Sequence, residues 1–152
     1  MNNLIFNQND HHELQHLITA SSGLVDAYMI ECFENIPMLL PQNIILSAID
    51  CETDAKLIYW HDQPLAVYPI HHPNRKKGVA LVIEAENQSD RFVLLCDAMP
   101  KAVRIRISEL VDDLEQELSP HIYQVVRFME QLYQIPDLDA IQAIAQKSKI
   151  PA

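Results

Sequence analysis

Residues 57–70 predict a β-hairpin, and they read Leu57-Ile58-Tyr59-Trp60-His61-Asp62-Gln63-Pro64-Leu65-Ala66-Val67-Tyr68-Pro69-Ile70. Two apolar runs here, Lys56–Trp60 and Pro64–Ile70, flank the polar residues His61-Asp62-Gln63, as in two antiparallel strands joined by a tight turn. Because proline donates no hydrogen bond to a neighbouring strand, Pro64 and Pro69 are expected at the ends of their strand or on an exposed edge.

Short apolar stretches separated by turn residues recur on both sides of this hairpin. They predict strands over residues 25–33, 36–40, 44–49, 78–85, 91–97, 103–107, 122–129 and 131–135. Residues 103–107 give the clearest two-residue period, with Val103, Ile105 and Ile107 on one face and two arginines on the other. Parallel connections need long crossovers, usually helices, and the chain has no room for them between successive strands. The sequence therefore predicts an all-β, mostly antiparallel barrel or sandwich.

Within the predicted β-rich part of the chain, helices are expected only near its end. Ser108 is a candidate N-cap for a short acidic helix that extends to about Leu118. Asp137 is a candidate N-cap for a final helix, whose apolar face carries Leu138, Ile141, Ile144 and Ala145. Residues 23–152 are predicted to form one β-barrel domain. Residues 1–22 form a polar leader, for which a short amphipathic helix and an unstructured segment both stay open.

Composition excludes several classes of function. The chain has 152 residues with 11 Lys and Arg against 21 Asp and Glu, a formal net charge of −10. An acidic surface repels phosphates and anionic lipids, so we expect neither nucleic-acid binding nor membrane docking. The N-terminus has no signal-peptide pattern and no apolar run is long enough to span a bilayer, so a cytoplasmic location is expected. The 3 cysteines, without a C-x-x-C pair, are expected to be reduced thiols.

Motifs for catalysis are scarce. The chain has only 2 glycines, Gly23 and Gly78, which excludes the P-loop, the G-x-G-x-x-G fingerprint and the G-x-S-x-G elbow. One stretch, His12-Glu13-Leu14-Gln15-His16, matches H-E-x-x-H, in which two histidines on one helix face bind zinc and the glutamate activates a metal-bound water. A third ligand would have to come from Glu31, His71 or His72. A chance match in a histidine-rich leader is the competing interpretation, because zinc peptidase helices normally pack behind a sheet that precedes them and the residues before this motif in the sequence are mostly polar. We therefore expect no enzyme and no metal site, and we keep a zinc-dependent hydrolase as an alternative.

Three stretches resemble the CheW-like domain family. The hairpin over residues 57–70 is similar to that family's central hairpin, residues 36–49 to its opening strands, and residues 90–110 to the strand pair that ends a barrel. The resemblance covers residues 25–145 and is closest to the divergent, ChpC-type adaptors of type IV pilus chemosensory clusters. One departure is in the turn, where family members usually carry Arg-Gly and this chain carries His61-Asp62.

The resemblance implies a pair of small five-stranded barrels without catalysis or cofactor. It implies an adaptor that couples methyl-accepting chemoreceptors to a CheA-type histidine kinase in chemotaxis or twitching motility. Candidate partner-binding residues are those of the hairpin turn, with a basic run expected beside them: Trp60, His61, Asp62, Gln63, Arg75, Lys76 and Lys77. Tryptophan and arginine are enriched in interface hot spots, although Trp60 is equally expected in the core. Another β-barrel interaction or regulatory protein is the alternative function.

Overall fold

Strands make up most of the part of the chain that the computed structural model describes, residues 23–113 and 121–149. The strands are β1 (Leu24–Cys32), β2 (Asn35–Pro41), β3 (Ile45–Glu52), β4 (Leu57–Trp60), β5 (Gln63–Pro69), β6 (Lys77–Ile83), β7 (Phe92–Cys96), β8 (Lys101–Arg106), β9 (Val111–Asp112), β10 (Ile122–Phe128) and β11 (Gln131–Pro136). One helix, α1 (Leu138–Lys149), follows them. The predicted all-β class is confirmed.

These strands form two curled sheets. The first sheet has the order β8-β1-β2-β11-β10-β9 and the second has the order β3-β6-β7-β5-β4. The first sheet therefore has six strands, one more than the five implied by the resemblance, because the two-residue strand β9 extends its edge. Most pairs are antiparallel, as predicted, but β2 with β11 and β5 with β7 are parallel.

The parallel pair β5–β7 needs no helical crossover. Strand β6 lies between them in the chain and pairs antiparallel with β7 on the side away from β5. A strand thus carries the chain back to the end where β5 began, and β7 then runs in the same direction as β5. The lack of room for helices between successive strands therefore does not exclude parallel pairs between strands that are not successive in the chain.

Strands β6 and β7 are buried on both faces. Alternate residues, among them Leu81 and Leu94, contact one apolar cluster, and the residues between them, among them Val82 and Val93, contact another. The first cluster lies between the sheets, where Ile141 of α1 packs against it. The second cluster fills the concave side of the second sheet. This two-sided burial explains the nearly continuous apolar sequence of both strands.

The first sheet confirms the two-residue period of β8. Val103, Ile105 and Ile107 pack against the core cluster of that sheet. On the other face, Arg104 donates two hydrogen bonds to Asp26 of β1, at 2.8 and 3.4 Å.

Helix α1 begins as the sequence predicts. A carboxylate oxygen of Asp137 accepts a hydrogen bond of 3.1 Å from the backbone N–H of Ala140, which is the N-cap arrangement. Ile141 and Ala145 are buried on its inner face.

The helix predicted from Ser108 to Leu118 is wrong over its described part. A single 3-10 turn spans Ile107–Glu109, and Val111–Asp112 forms β9 against β10. Ile107 and Leu110 pack against the core of the first sheet, so tertiary contacts hold this segment extended. Residues 114–118 lie outside the described residues, as does the leader, so the domain boundary at residue 23 stays a prediction.

Candidate partner-binding surface

The predicted hairpin is present, and its turn consists of two residues. Trp60 at the end of β4 pairs with Gln63 at the start of β5. Between them, His61 and Asp62 have φ angles of 50° and 63°. Positive φ at both central residues is the feature of a type I′ turn, whose twist matches that of the flanking strands. Because neither residue is glycine, the left-handed conformation costs about 1 kcal/mol at each position.

The side chains of His61 and Arg91 both lie close to the ring of Trp60. Its ring centroid is 4.1 Å from that of His61, and the guanidinium carbon of Arg91 lies 5.5 Å from the indole centroid. A cation at this distance over a tryptophan ring is attracted by the electron-rich face. Trp60 is half-buried and packs against the core of the second sheet, as the core interpretation of this residue predicts, and its role in partner binding stays a prediction.

An ion pair fixes the position of Arg91. Its Nε and Nη2 atoms donate hydrogen bonds of 2.7 and 3.3 Å to the two carboxylate oxygens of Glu84. These bonds hold the pKa of the Glu84 carboxyl below its ordinary value, against the opposing effect of its partial burial. Gln63 ties the turn to the same region, because its side-chain amide donates a hydrogen bond of 2.5 Å to the carbonyl of Gln88. We call Trp60, His61, Asp62, Gln63 and Arg91 the turn surface.

The ion pair between Arg91 and Glu84 could have been predicted from the sequence. Glu84 directly follows β6, and Arg91 directly precedes β7. Because the two strands are antiparallel and Ile83 pairs with Phe92, the residues just beyond that pair must face each other. Opposite charges at those two positions predict an ion pair.

The basic run Arg75–Lys77 does not lie beside the turn, contrary to expectation. Arg75 and Lys76 precede β6 and Lys77 begins it, and the start of β6 lies next to the end of β7, where Val79 pairs with Cys96. The hairpin turn instead lies at the start of β5, next to the start of β7. The two groups are separated by about 20 Å, the length of the 7-residue strand β5.

Backbone contacts hold this basic loop in place. Thr53 donates from its N–H to the carbonyl of Lys76 at 3.0 Å and from its hydroxyl to the carbonyl of Arg75 at 2.5 Å. The guanidinium of Arg75 lies 3.8 Å from the carboxylate of Asp97.

Carboxylates surround the loop. A shallow depression of about 620 Å³ is lined by Arg75 and Lys77 together with Asp50, Glu52 and Asp97. The surface at this end of the second sheet is therefore mixed in charge, which weakens the expectation of a simple contact for an acidic partner.

A smaller depression lies at the junction of the two sheets. It measures about 200 Å³, and its lining includes Cys32, Tyr68, His121 and Gln134. The Tyr68 hydroxyl and the Nδ1 of His121 are 3.3 Å apart, which joins β5 of the second sheet to the residue before β10 of the first. Gln134 is buried and donates a hydrogen bond of 2.5 Å to the carbonyl of Ile36. The contact between Tyr68 and His121 couples the two sheets, and the bond from Gln134 joins β11 to β2 within the first sheet.

The described thiols are poor nucleophiles. Burial raises the pKa of the Cys32 thiol to about 11 and that of Cys96 to about 12, so both stay protonated near neutral pH. Within residues 23–113 and 121–149, histidine, cysteine and acidic side chains form no group of three or more that could hold a metal ion. Glu31, His71 and His72 are thus not assembled into a site with one another. His12, Glu13 and His16 lie outside the described residues.

No helix within the described ranges has the length and apolar character needed to cross a membrane.

Comparison with known proteins identifies the fold. A scan against protein-family models and a search of curated proteins find no match. Among solved structures, the chain is similar to the scaffolding protein TtCheW from Thermoanaerobacter tengcongensis, with a TM-score of 0.59, 9% sequence identity, and coverage of 74% of this chain and 88% of that one. The fold is CheW-like. Two curled sheets form half-barrels, in agreement with the pair of small barrels that the sequence resemblance implied, and α1 packs against the apolar cluster between them.

Proposed function

We propose that the protein is a non-catalytic adaptor that couples methyl-accepting chemoreceptors to a CheA-type histidine kinase. The observation that carries the proposal is the CheW-like arrangement of two half-barrels, shared with a protein described as a scaffold. An adaptor needs exposed and well-positioned side chains rather than a reactive centre.

The turn surface is the proposed partner contact. Its backbone is fixed by a two-residue turn, and its tryptophan is held against Arg91 by the ion pair with Glu84. A rigid surface loses little conformational entropy on binding, and tryptophan with arginine supplies much of the binding energy in many interfaces. The His61-Asp62 turn places an acidic residue at its tip, so the proposed partner presents a cation there.

The finer assignment is a ChpC-type adaptor in a twitching-motility cluster. It rests on the sequence resemblance over residues 25–145, and it is part of the proposal. Components recovered with the protein distinguish it from an adaptor of flagellar chemotaxis.

The test is an affinity pull-down with the tagged full chain from lysate of the native organism, read by mass spectrometry. Recovery of a CheA-type kinase or of chemoreceptors supports the proposal, and genes for pilus components near those of the recovered proteins support the twitching assignment. Recovery of neither class contradicts coupling and leaves another β-barrel interaction protein as the function.

Two matched variants then locate the contact. Asp62→Asn removes one negative charge from the second turn position, where φ is 63°. Glu130→Gln removes one charge from the equivalent position of the β10–β11 turn, where φ is 64°. We expect Asp62→Asn to weaken kinase or receptor binding by up to about fivefold and Glu130→Gln to leave it unchanged. Equal effects of the two variants would contradict the turn surface as the contact.

A further inference from the structure

Two adjacent histidines lie in the loop between β5 and β6, and their Nδ1 atoms have opposite hydrogen-bonding roles. The Nδ1 of His71 lies 2.8 Å from the carbonyl oxygen of His72, and because a carbonyl only accepts, this Nδ1 carries a proton and donates it. The Nδ1 of His72 instead accepts a hydrogen bond of 3.0 Å from the backbone N–H of Asn74, so this nitrogen carries no proton. His71 can therefore become an imidazolium without losing its bond, whereas His72 cannot.

The other contacts of His72 hold this loop in place. Its backbone N–H donates a hydrogen bond of 2.9 Å to Oδ1 of Asp97, the residue that follows β7. Its carbonyl accepts a hydrogen bond of 3.0 Å from the N–H of Arg75, which closes a β-turn with a proline at the second position. Its ring lies edge-on to Phe33, between β1 and β2 of the first sheet, with the ring centroids 4.6 Å apart. The loop and its contact with the other sheet thus depend on the orientation of one imidazole.

We propose that the loop between β5 and β6 is a pH-sensitive element, which changes conformation when His72 is protonated. An imidazolium donates from both ring nitrogens, so the N–H of Asn74 would then face a second N–H group instead of an acceptor. The ring turns away from Asn74, and its contact with Phe33 is lost. Imidazole is the side chain that ordinarily changes charge between pH values of about 5 and about 8. This inference goes beyond the adaptor function and does not depend on it.

The charges around His72 determine what the loop presents at low pH. Asp97 is the carboxylate joined directly to His72, and its Oδ1 also lies 3.8 Å from Nε of Arg75. A protonated ring competes with Arg75 for this carboxylate, so the loop gains a positive charge and its arginine loses an anionic partner. The other charged or titratable residues of the loop and of the elements beside it are His71, Lys76 and Lys77, Glu34 next to Phe33, and Asp50 and Glu52 of β3.

The tautomers of the two histidines are the first test, and they are measured on the unmodified full chain. Long-range proton–nitrogen correlation spectra of the isotope-labelled protein at a pH of about 8, where imidazoles are mostly neutral, show which ring nitrogen carries the proton. We expect the proton on Nδ1 in His71 and on Nε2 in His72, because each assignment follows from the hydrogen bond that Nδ1 makes. A His72 ring protonated on Nδ1 under these conditions would overturn the proposal.

A pH titration of the same sample then follows the backbone amide of Asn74. Between pH values of about 8 and about 5, its protection against hydrogen exchange, corrected for the intrinsic rate, is expected to fall about fivefold, as for the loss of one typical hydrogen bond. The ring signals of Phe33 are expected to shift with the same midpoint as those of His72. Constant protection of Asn74 over this range would overturn the proposal.

Two matched variants assign the effect to one of the adjacent histidines. His72→Asn keeps an acceptor, because an asparagine side chain also accepts from the N–H two residues on, and it does not titrate. In this variant the Asn74 amide is expected to stay protected throughout the titration. His71→Asn removes the neighbouring imidazole and is expected to leave the titration of Asn74 unchanged. A titration that persists in His72→Asn, or that disappears in His71→Asn, would overturn the assignment to His72.

Discussion

Gly78 is the position where one added methyl group is expected to destabilise the fold most specifically. A Cβ on Gly78 would lie 2.5 Å from the backbone carbonyl oxygen of Cys96, whereas ordinary contact begins at 3.4 Å. Gly78→Ala therefore forces β6 and β7 apart by close to 0.9 Å, the difference between those distances, where Val79 and Cys96 are buried. Overpacking of this kind costs about 1–3 kcal/mol. For a chain of this size the melting temperature should fall by about 2–12 °C.

Urea unfolding followed by far-UV circular dichroism measures the effect. We expect a lower midpoint with an unchanged m-value, because the surface exposed on unfolding stays the same. Gly23→Ala is the matched control: no atom lies within 4 Å of its added Cβ, and its φ of 91° imposes only backbone strain. That strain costs about 1 kcal/mol. If Gly78→Ala were no less stable than Gly23→Ala, the close approach of the two strands would not be a constraint on the fold.

Three further predictions concern the ion pair, the thiols and the turn. The pKa of Glu84 is lowered in the folded state by Arg91, so the stability from this pair is present above the ordinary pKa of glutamate and is lost as the pH falls through the lower folded value. The difference in unfolding free energy between the wild type and Glu84→Gln should therefore shrink between pH values of about 7 and about 3, and a constant difference in urea titrations would contradict the ion pair. The pKa values of Cys32 and Cys96, raised to about 11 and about 12, predict much slower alkylation in the native protein than in urea, with the less buried Cys51 modified first. Peptide mapping by mass spectrometry checks this order, and early modification of Cys96 would refute it. Asp62→Gly should stabilise the protein by roughly 0.5–1 kcal/mol because glycine adopts the positive φ without strain, and a loss of stability would show that the Asp62 side chain contributes more than its backbone costs.

The elements predicted best are the strands whose sequence pattern directly reflects which of their own two faces are buried. Strands β6 and β7 read as continuous apolar runs because one face contacts the second core cluster and the other contacts the region between the sheets. Strand β8 alternates because one face packs on the core and the other carries Arg104. In each case the period of the pattern reports the environment of a single strand directly.

The predictions were wrong where the conformation or position of a segment depends on contacts with strands that are distant in the sequence. The acidic segment after Ser108 has a helical composition, but Val111 is opposite Arg127 in the completed sheet, and a local pattern cannot contain that partner. The basic run Arg75–Lys77 is near the turn in sequence, yet β5 carries the chain to the far end of the sheet before the run begins. The parallel pairing of β5 with β7 instead brings Arg91 to the turn.

Strand β7 connects the two ends of the second sheet. Arg91, immediately before β7, contacts Trp60 of the turn surface, and Asp97, immediately after it, faces Arg75 of the basic loop. All 5 residues of β7 are fully or almost fully buried, and the strand is hydrogen-bonded to β6 and β5 on its two sides. Close packing of this kind resists compression and extension of the strand, so the distance between its two ends is fixed. The second sheet thus holds the turn surface and the basic loop at a set separation, which suits the adaptor function proposed above.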